Sequence, residues 1–530
     1  MFEKLWYKLN NTVTGGAVMI ALFSLLAKII ALFRERLIAS SLGASQLSDI
    51  YYAAFRLPDF IFNTLILGAL SSSFIPVFQK VWLKDKNRGL NLGNSVINFF
   101  LLMIIVLVAI AFVLAAPITK LLTPGFDTWA LGQTIQLTRV MLLATIFFVV
   151  SNVFSGMLNS WKKFFSFSLA ASFYNIGIII GITVFFPHFG LIGLAYGVLL
   201  GAAMHCLVQL PELIKNGWRY RLLLHWSVEL KKILKLMIPR TIGSAATQVN
   251  LMVITMIGSM LPVGSIAVFN FANNLQSLPI SLFAVSMAVA VFPTFTQAVS
   301  EERHDIFVNN LTTSLRRILF LLIPVSIFLV VLRAQVVRIL LGTGNFNWEN
   351  TYYTAQALGC FSISIFAQGL IPLLAPAYYA QGDTKTPTFV GISSIVLNII
   401  LSWFLAVNWQ MGVLGLALAY SISSIINMLV LYLILHYRLP DIDDNLIISS
   451  LLKISFNSLV AGAVVYMVLR ILAPLVDMRS FVGILVQGLG AGLCGLIIYL
   501  ILGILLKLDE MILIKEKMFK TWRFLKNGKN

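Results

Sequence analysis

Apolar runs long enough to cross a lipid bilayer fill most of this 530-residue chain. A membrane-spanning helix needs about 20 mostly apolar residues, because all its backbone polar groups must be satisfied within the helix. Hydrophobic residues make up 59% of the sequence and charged residues 11%, whereas about a quarter of a soluble domain is charged. The pattern excludes a string of soluble domains, a disordered chain and a disulfide scaffold. It predicts an all-α polytopic membrane protein.

We predict about fourteen transmembrane helices from the apolar runs and the Gly, Pro and charged breaks between them. The predicted spans are 13–38, 48–78, 93–118, 134–159, 164–187, 189–210, 236–261, 265–298, 315–342, 351–381, 386–408, 412–437, 449–473 and 481–506.

Basic residues fall mainly in every second connection, at 80–88, 162–163, 215–235, 303–317, 385 and 438–453, and in the tail. Because cytoplasmic loops are enriched in Lys and Arg, this predicts a multi-pass protein with both termini in the cytoplasm. The same asymmetry accounts for the formal net charge of +18. We therefore expect membrane lipids, and no nucleic acid, as partners of the basic residues.

A weak internal repeat relates two parts of the chain. Gly190-Leu191-Ile192-Gly193-Leu194-Ala195 returns as Gly412-Val413-Leu414-Gly415-Leu416-Ala417, and Ile75-Pro76-Val77-Phe78 returns as Phe292-Pro293-Thr294-Phe295. Asn175 and Asn398 occupy corresponding places. The repeat predicts an N-terminal six-helix lobe (1–232) and a C-terminal six-helix lobe (233–440), related by a pseudo-two-fold axis along the membrane normal. An extra helix pair and a basic cytoplasmic tail (441–530) follow.

Charges inside the first two spans are the strongest functional signal, because each costs at least a few kcal/mol in the membrane. Lys28 and Glu35 lie seven residues apart, as do Asp49 and Arg56, so each pair forms one row on its helix. We expect the two rows to face one another, with Arg34 beside them. The alternative is that Arg34 ends the first helix and reaches the membrane surface.

The second half offers polar but uncharged groups. Asn270, Asn273, Asn274 and Ser277 form a polar stripe on the eighth span. The membrane part of spans seven to twelve contains no carboxylate, so we expect transport to be driven by the membrane potential rather than by carboxylate-based ion exchange. The five histidines are scattered without metal-ligand spacing. We expect no metal, no cofactor and no catalytic residues.

Several motifs in order along the chain resemble the MurJ (MviN) family. They are KIIALFRE at 28–35, LGA at 42–44, SDIYYAAFRLPD at 48–59, GALSSSFIP at 68–76 and YYAQGDTKTP at 378–387. The resemblance covers essentially the whole chain. It implies a fourteen-span fold of the multidrug/oligosaccharidyl-lipid/polysaccharide exporter superfamily, in the bacterial cytoplasmic (inner) membrane.

The resemblance also implies a function and a site. Members of this family flip lipid II, an anionic undecaprenyl-pyrophosphate-linked peptidoglycan precursor, from the inner to the outer leaflet. Arg34 matches a cavity arginine, Glu35 its neighbouring acid and Asp49 an aspartate at the start of span two. Lys28 stands where many members have arginine, and Asn274 replaces another arginine. We expect a monomer whose substrate-binding residues are Lys28, Arg34, Glu35, Asp49, Arg56, Asn270 and Asn274.

Two other transport functions remain open at this point. One is flipping of another polyprenyl-pyrophosphate-linked glycan, because the cavity has lost cationic positions. The other is multidrug antiport within the same superfamily, which calls for an anionic or aromatic cavity if the drugs are cationic. A membrane glycosyltransferase would need a large extramembrane region with acid and base residues, which this chain lacks.

Overall fold

The computed structural model describes residues 13–64 and 70–511, which are helical almost throughout and contain no strand. The helices are α1 (Val13–Leu42), α2 (Gln46–Ala54), α3 (Arg56–Phe62), α4 (Leu70–Lys84), α5 (Lys86–Leu122), α6 (Thr128–Ser160), α7 (Phe164–Ile180), α8 (Phe186–Phe189), α9 (Leu191–Leu207), α10 (Leu210–Lys215), α11 (Val228–Ser259), α12 (Ser265–Pro279), α13 (Ser286–Ser300), α14 (His304–Leu341), α15 (Trp348–Ser362), α16 (Ile365–Ala380), α17 (Lys385–Trp403), α18 (Val413–Arg438), α19 (Asp444–Leu472) and α20 (Phe481–Leu505). Both chain ends and the basic tail from residue 512 lie outside the described residues.

The all-helical membrane architecture is confirmed, but the count of fourteen spans is not. Within the described residues, 10 helices are long and apolar enough to cross a membrane, and two bent helix pairs bring the number to at most 12. One bent pair is α15 with α16, which meet at an angle of 47°. The two remaining predicted spans, 13–38 and 48–78, contain the charges of the first helices. The second of them is divided into α2, α3 and α4 and runs into residues 65–69, outside the described residues.

Local capping explains why the chain turns where it does between α1 and α2. Gly43 follows α1 with φ of 67°, a left-handed conformation that suits glycine and ends the helix. Ser45 then begins α2 with a capping box: its Oγ accepts from the amide of Leu47, and its own amide donates to Ser48 Oγ at 2.9 Å. This short turn fixes the start of the segment that carries Asp49 and Arg56.

The sequence repeat corresponds to repeated local structure. Gly190 and Gly412 have φ of 66° and 58° and precede α9 and α18. A π-helical turn lies before each of them, at Gly181–Phe185 and Phe404–Asn408. The second glycine of each motif packs against that turn, because an added Cβ on Gly193 or Gly415 would lie 2.4 Å or 2.6 Å from its backbone. These two glycines therefore permit a close helix approach that no larger residue allows.

The chain divides into two compact units: unit 1 comprises residues 1–267 and 343–346, and unit 2 comprises 268–342 and 347–530. The core of unit 1 is built on α4, α5 and α6 around fully buried Phe74, Phe78 and Phe100. The core of unit 2 is built on α14, α16 and α18, where the buried Tyr378 hydroxyl donates to the Leu431 carbonyl at 2.6 Å. The three-part division at 232 and 440 stays a prediction.

The final helix pair packs within unit 2. Ala491 of α20 is fully buried, and a Cβ on Gly495 would lie 2.2 Å from Val465 of α19, so small residues bring these helices together. Beyond α20, Asp509 and Glu510 pair with Arg316 of α14 at 2.6 Å and 2.9 Å. Ion pairs and close packing together hold the helix pair to the rest of the unit.

Candidate functional site

Arg34 is the centre of a polar cluster inside unit 1. Its Nη2 forms an ion pair and hydrogen bond with Glu35, and its Nη1 donates to Asn175 Oδ1 of α7 at 2.9 Å. The Arg34 side chain retains 20% of its exposure, and its buried Nε has no hydrogen-bond partner within the described part of the chain. The guanidinium is thus held in place by one acid and one amide.

Glu35 and Asn175 are themselves positioned by further hydrogen bonds. The hydroxyl of Tyr52, on α2, donates to Glu35 Oε2 at 2.7 Å. The Asn175 amide donates to the carbonyl of Ala171 at 3.0 Å, which fixes its oxygen towards Arg34. Glu35 and Asn175 are thus each held by a hydrogen bond with an uncharged group. Because both partners of Arg34 are fixed, the cluster is preorganised around the cation.

A second arginine lies on α3. Arg56 is buried, and its Nε donates to Thr255 Oγ1 of α11 at 2.7 Å. The carboxylate of Asp59, one turn further along α3, lies within electrostatic reach of both Arg56 and Arg34. Two arginines and two acids therefore share this region of unit 1. Lys28 is half-buried on α1, two turns before Glu35.

Asp49 is buried and has a structural position. Its Oδ2 accepts from the amide of Gly264 at 2.6 Å and its Oδ1 from the amide of Ala267 at 2.8 Å. Both oxygens are thus used to cap the first turn of α12, where a carboxylate is favoured by the unpaired amides and the helix dipole. Asp49 connects α2 to the segment that begins α12.

The structure links the two predicted rows of charge through a residue that the sequence argument did not name. Asp49 and Arg56 share a side, since both contact the segment between Thr255 and Ala267. Glu35 accepts a hydrogen bond from Tyr52, which lies three residues after Asp49 and four before Arg56 and therefore close to that row. That the charges of the two rows face one another stays a prediction.

The polar stripe on α12 continues into a chain of neutral hydrogen bonds in unit 2. Gln276 donates to Asn273 at 2.9 Å and accepts from Gln368 of α16 at 2.8 Å. Gln368 also donates to Ser364, whose hydroxyl donates to Ser421 of α18 at 2.9 Å. Asn270 and Asn274 are half-buried on the same helix. This part of unit 2 thus consists of amides and hydroxyls.

Several of these residues were missed by the sequence argument. Tyr52, Thr255, Gln276 and Gln368 orient or extend the polar clusters. A single amide within an apolar run, such as Gln368 between Ala367 and Gly369, is the signal that marks such positions. Tyrosine and threonine give no comparable signal, because both are common in membrane helices.

The motif at 378–387 comprises the end of α16, a short connection and the start of α17. The Asp383 carboxylate accepts from the amides of Lys385 and Thr386, from the Thr386 hydroxyl at 2.6 Å and from Arg438 at 2.5 Å. These hydrogen bonds, those from Thr386 foremost, hold the pKa of Asp383 well below its usual range. The cluster joins the ends of α16, α17 and α18.

No group of three or more His, Cys, Asp or Glu side chains in residues 13–64 and 70–511 is arranged to hold a metal ion. The polar clusters around Arg34 and Gln276 are made of guanidinium, carboxylate, amide and hydroxyl groups.

The chain is similar to known proteins over most of its length. "Probable lipid II flippase MurJ" of Vibrio cholerae serotype O1 is 29% identical over 451 residues, which cover 83% of this chain and 85% of that protein. "Lipid II flippase MurJ" of Burkholderia cenocepacia is 29% identical over 431 residues, covering 78% and 82%.

Two solved structures share the fold. The structure described as "Lipid II flippase MurJ, inward closed conformation" superposes with a TM-score of 0.78 at 26% identity and covers 92% of this chain and 99% of that one. An inward-facing multidrug resistance MATE transporter of the MOP superfamily superposes with a TM-score of 0.66 at 17% identity, covering 79% and 96%. The second likeness shows the fold alone.

The family model described as "Lipid II flippase MurJ" matches residues 38–487, which is most of the chain. The match runs from the end of α1 into α20 and includes both units. This multi-pass membrane protein, whose first helices hold an arginine between an acid and an amide, belongs to the MurJ family.

Proposed function

We propose that this protein flips lipid II, the undecaprenyl-pyrophosphate-linked peptidoglycan precursor, from the inner to the outer leaflet of the cytoplasmic membrane by alternating access. The observation that carries the proposal is Arg34, a cation kept inside a membrane bundle by Glu35 and Asn175 with 20% of its side chain exposed. A charge inside the membrane is energetically costly, so its presence indicates a functional site. The names of the relatives point to the same substrate.

The pyrophosphate is the part of the substrate that this cluster recognises. Arg34 supplies a planar guanidinium, which binds phosphate oxygens through charge-assisted and often bidentate hydrogen bonds. Lys28, on the same helix and half-buried, adds a second positive charge. Arg56 contributes through the field of its charge, because its Nε is already bonded to Thr255.

Glu35 and Asp49 act as positioning residues in this proposal. Glu35 holds Arg34, and Asp49 holds the start of α12 through two backbone amides. In this proposal, Asn270 and Asn274 of α12 form hydrogen bonds with the sugars of the headgroup. Neutral amides suit sugar hydroxyls better than charged side chains do.

An apolar groove in unit 2 suits the polyprenyl tail. It has a volume of about 630 Å³ and is lined by α14, α15, α16 and α19, with Ile327, Phe366 and Leu459 among its walls. A tail bound there remains in an apolar environment while the headgroup crosses. The extra helix pair, of which α19 is the first member, would then exist to hold the lipid part of the substrate.

The membrane potential is the proposed driving force. Moving one elementary charge across 100 mV is worth about 2.3 kcal/mol, and an inside-negative potential favours outward movement of an anionic headgroup. Proteoliposomes depolarised with ion gradients maintained should therefore lose turnover. Undiminished flipping after depolarisation would contradict this coupling.

The proposal also covers the oligomeric state and the membrane orientation of the protein. We expect a monomer with both termini in the cytoplasm, acting as a transporter without catalytic residues or cofactor. Cysteine-accessibility labelling at each end of the chain measures the orientation. Labelling of either terminus from outside the cell would contradict it.

Complementation of a strain depleted of its own precursor flippase tests the function. Wild type should restore growth, and Arg34→Ala and Lys28→Ala should fail or grow poorly at equal membrane abundance. Arg139→Ala is the matched control, because Arg139 is also an arginine within a helix, where it donates to the carbonyl of Phe112 and lies over the Phe112 ring instead of pairing with an acid among the described residues. Rescue by both Arg34→Ala and Lys28→Ala would remove the proposed site, and failure of wild type would remove lipid II as the substrate.

A further inference from the structure

A non-helical connection joins α10 to α11 along the side of α5. This connection, residues 216–227, is called the strap here. Asn98 of α5 donates to the carbonyls of Arg221 at 2.8 Å and Leu223 at 3.0 Å, and Asn94 donates to the carbonyl of Arg219 at 3.0 Å. Two buried amides thus hold the strap backbone against α5. Within the strap, the amides of Leu223 and Ser227 donate to the carbonyls of Arg221 and His225 at 2.9 Å, which closes two tight turns.

The strap exposes several apolar side chains. Leu222, Leu224 and Trp226, with Val228 at the start of α11, are all exposed, from 55% for Trp226 to 81% for Leu222. The Trp226 ring also packs beside Phe99 of α5, with the ring centroids 5.5 Å apart. A group of exposed apolar side chains on one connection marks an interaction surface.

The length of α5 places the strap at the edge of the membrane. Its 37 residues extend about 55 Å at 1.5 Å per residue, whereas the hydrocarbon core is only about 30 Å thick. From Phe99 to Pro117 the helix has no polar side chain, so this part spans the core. Asn94 and Asn98 lie just before it. The strap that they hold consequently lies at the boundary between hydrocarbon and headgroups.

The charges around the strap are predominantly positive. Arg219 and Arg221 are exposed on the strap itself, and Lys231, Lys232 and Lys235 follow in the first turns of α11. The nearby acid Glu229 is already paired with Arg88 at 2.6 Å. Apolar side chains for the acyl region beside bases for the headgroups are the features that bind a peripheral segment to an anionic leaflet.

We propose that the strap is a docking surface for anionic phospholipid, with Leu222, Leu224 and Trp226 inserted among the acyl chains and Arg219 and Arg221 on the phosphates. The commitment to lipid rests on the position of the strap at the membrane boundary and on the match of its charge to anionic headgroups. The inference is independent of which molecule the protein transports.

The first test uses Trp226 as a depth reporter in nanodiscs of phosphatidylglycerol and phosphatidylcholine. The fluorescence of Trp226→Phe is subtracted from that of wild type, because the chain has 10 tryptophans. The difference signal should be quenched by brominated acyl chains and shielded from acrylamide. A signal quenched by acrylamide but not by brominated lipid would overturn the proposal and leave a surface for water or a protein partner.

The second test measures lipid selectivity by titrating the detergent-solubilised protein with phosphatidylglycerol and with phosphatidylcholine, detected by native mass spectrometry. The double variant Arg219→Gln/Arg221→Gln should lose phosphatidylglycerol affinity by about tenfold or more, given the usual strength of two bases at an anionic surface. The matched control is Lys162→Gln/Lys163→Gln, which removes two charges from another basic connection. An equal loss in both variants, or none in the first, would overturn the assignment of the site to the strap.

Discussion

Asn175 and Asn398 occupy corresponding positions in the two repeats, yet their surroundings differ. Asn175 accepts a hydrogen bond from Arg34 at 2.9 Å and donates to a backbone carbonyl. Asn398 is just as deeply buried, but neither its oxygen nor its nitrogen has a hydrogen-bond partner within the described part of the chain. One copy of the repeat thus holds a cation, and the other keeps only the amide.

The difference between the two asparagines reflects a difference in the polar groups of the two units. Charges and their partners lie close together on α1, α2 and α3 of unit 1, whereas Gln276, Gln368 and Ser364 of unit 2 form a chain of neutral hydrogen bonds. In the proposed function, the anionic headgroup binds at the charges of unit 1. The neutral chain of unit 2 offers amides and hydroxyls, which suit sugars.

The largest effect is expected from removing the acid that holds Arg34. Glu35→Ala leaves a buried arginine without its ion pair and removes the acceptor of Tyr52, so we expect a loss of about 3–5 kcal/mol in the free energy of unfolding and loss of flipping. Asp509→Ala is the control, because Asp509 also pairs with an arginine but is 63% exposed. It should cost at most about 1 kcal/mol. Equal losses would show that burial does not distinguish the two ion pairs.

The next effect contrasts the two asparagines directly. Asn175→Ala removes a hydrogen bond to a charged group and should cost about 1.5–3 kcal/mol in the free energy of unfolding. Asn398→Ala removes a buried amide that makes no hydrogen bond, so it should be neutral or slightly stabilising. Thermal unfolding of both variants in the same detergent measures the contrast. A greater loss for Asn398→Ala than for Asn175→Ala would invert the comparison.

Much of the fold was predictable from the sequence, because hydropathy follows directly from the need to bury backbone polar groups in lipid. The apolar runs predicted the helices, and the Gly190 and Gly412 motifs predicted the repeat that the structure shows in its turns. The number of membrane spans was harder to predict. Where α2, α3 and α4 follow one another in short pieces, apolarity alone does not define where one span begins and ends.

The candidate site was only partly predictable. Arg34, Glu35 and Arg56 were chosen because charges in apolar runs are costly, and the structure brings Arg34 and Glu35 together. Their neutral partners Tyr52 and Thr255 carry no such cost and were not found. A sequence thus identifies the charges of a membrane site more readily than the hydroxyls and amides that orient them.

A smaller effect is expected in the neutral chain of unit 2. Gln368→Ala removes hydrogen bonds to Gln276 and Ser364, each between neutral groups, so we expect a cost of about 1–2 kcal/mol in the free energy of unfolding. Gln297→Ala is the control, because its hydrogen bond to Glu301 is exposed and surface changes of this kind usually stay within about 0.5 kcal/mol. A loss for Gln368→Ala as large as that for Glu35→Ala would mean that unit 2 is as charge-dependent as unit 1.

The smallest effect belongs to the Asp383 cluster, which is charged but lies outside the membrane. Because its hydrogen bonds lower the pKa of Asp383 in the folded state, the carboxylate contributes stability above its unfolded pKa of about 4 and loses it as the pH falls further. Asp383→Asn should lower the free energy of unfolding at pH 7 by at most about 1 kcal/mol, since the ion pair with Arg438 is partly exposed. The gap between variant and wild type should narrow below pH of about 4. Asp305→Asn is the control, because Asp305 forms an exposed ion pair with Arg303 at 3.7 Å. A stability difference between Asp383→Asn and wild type that widened in acid would contradict the predicted direction of the pH dependence.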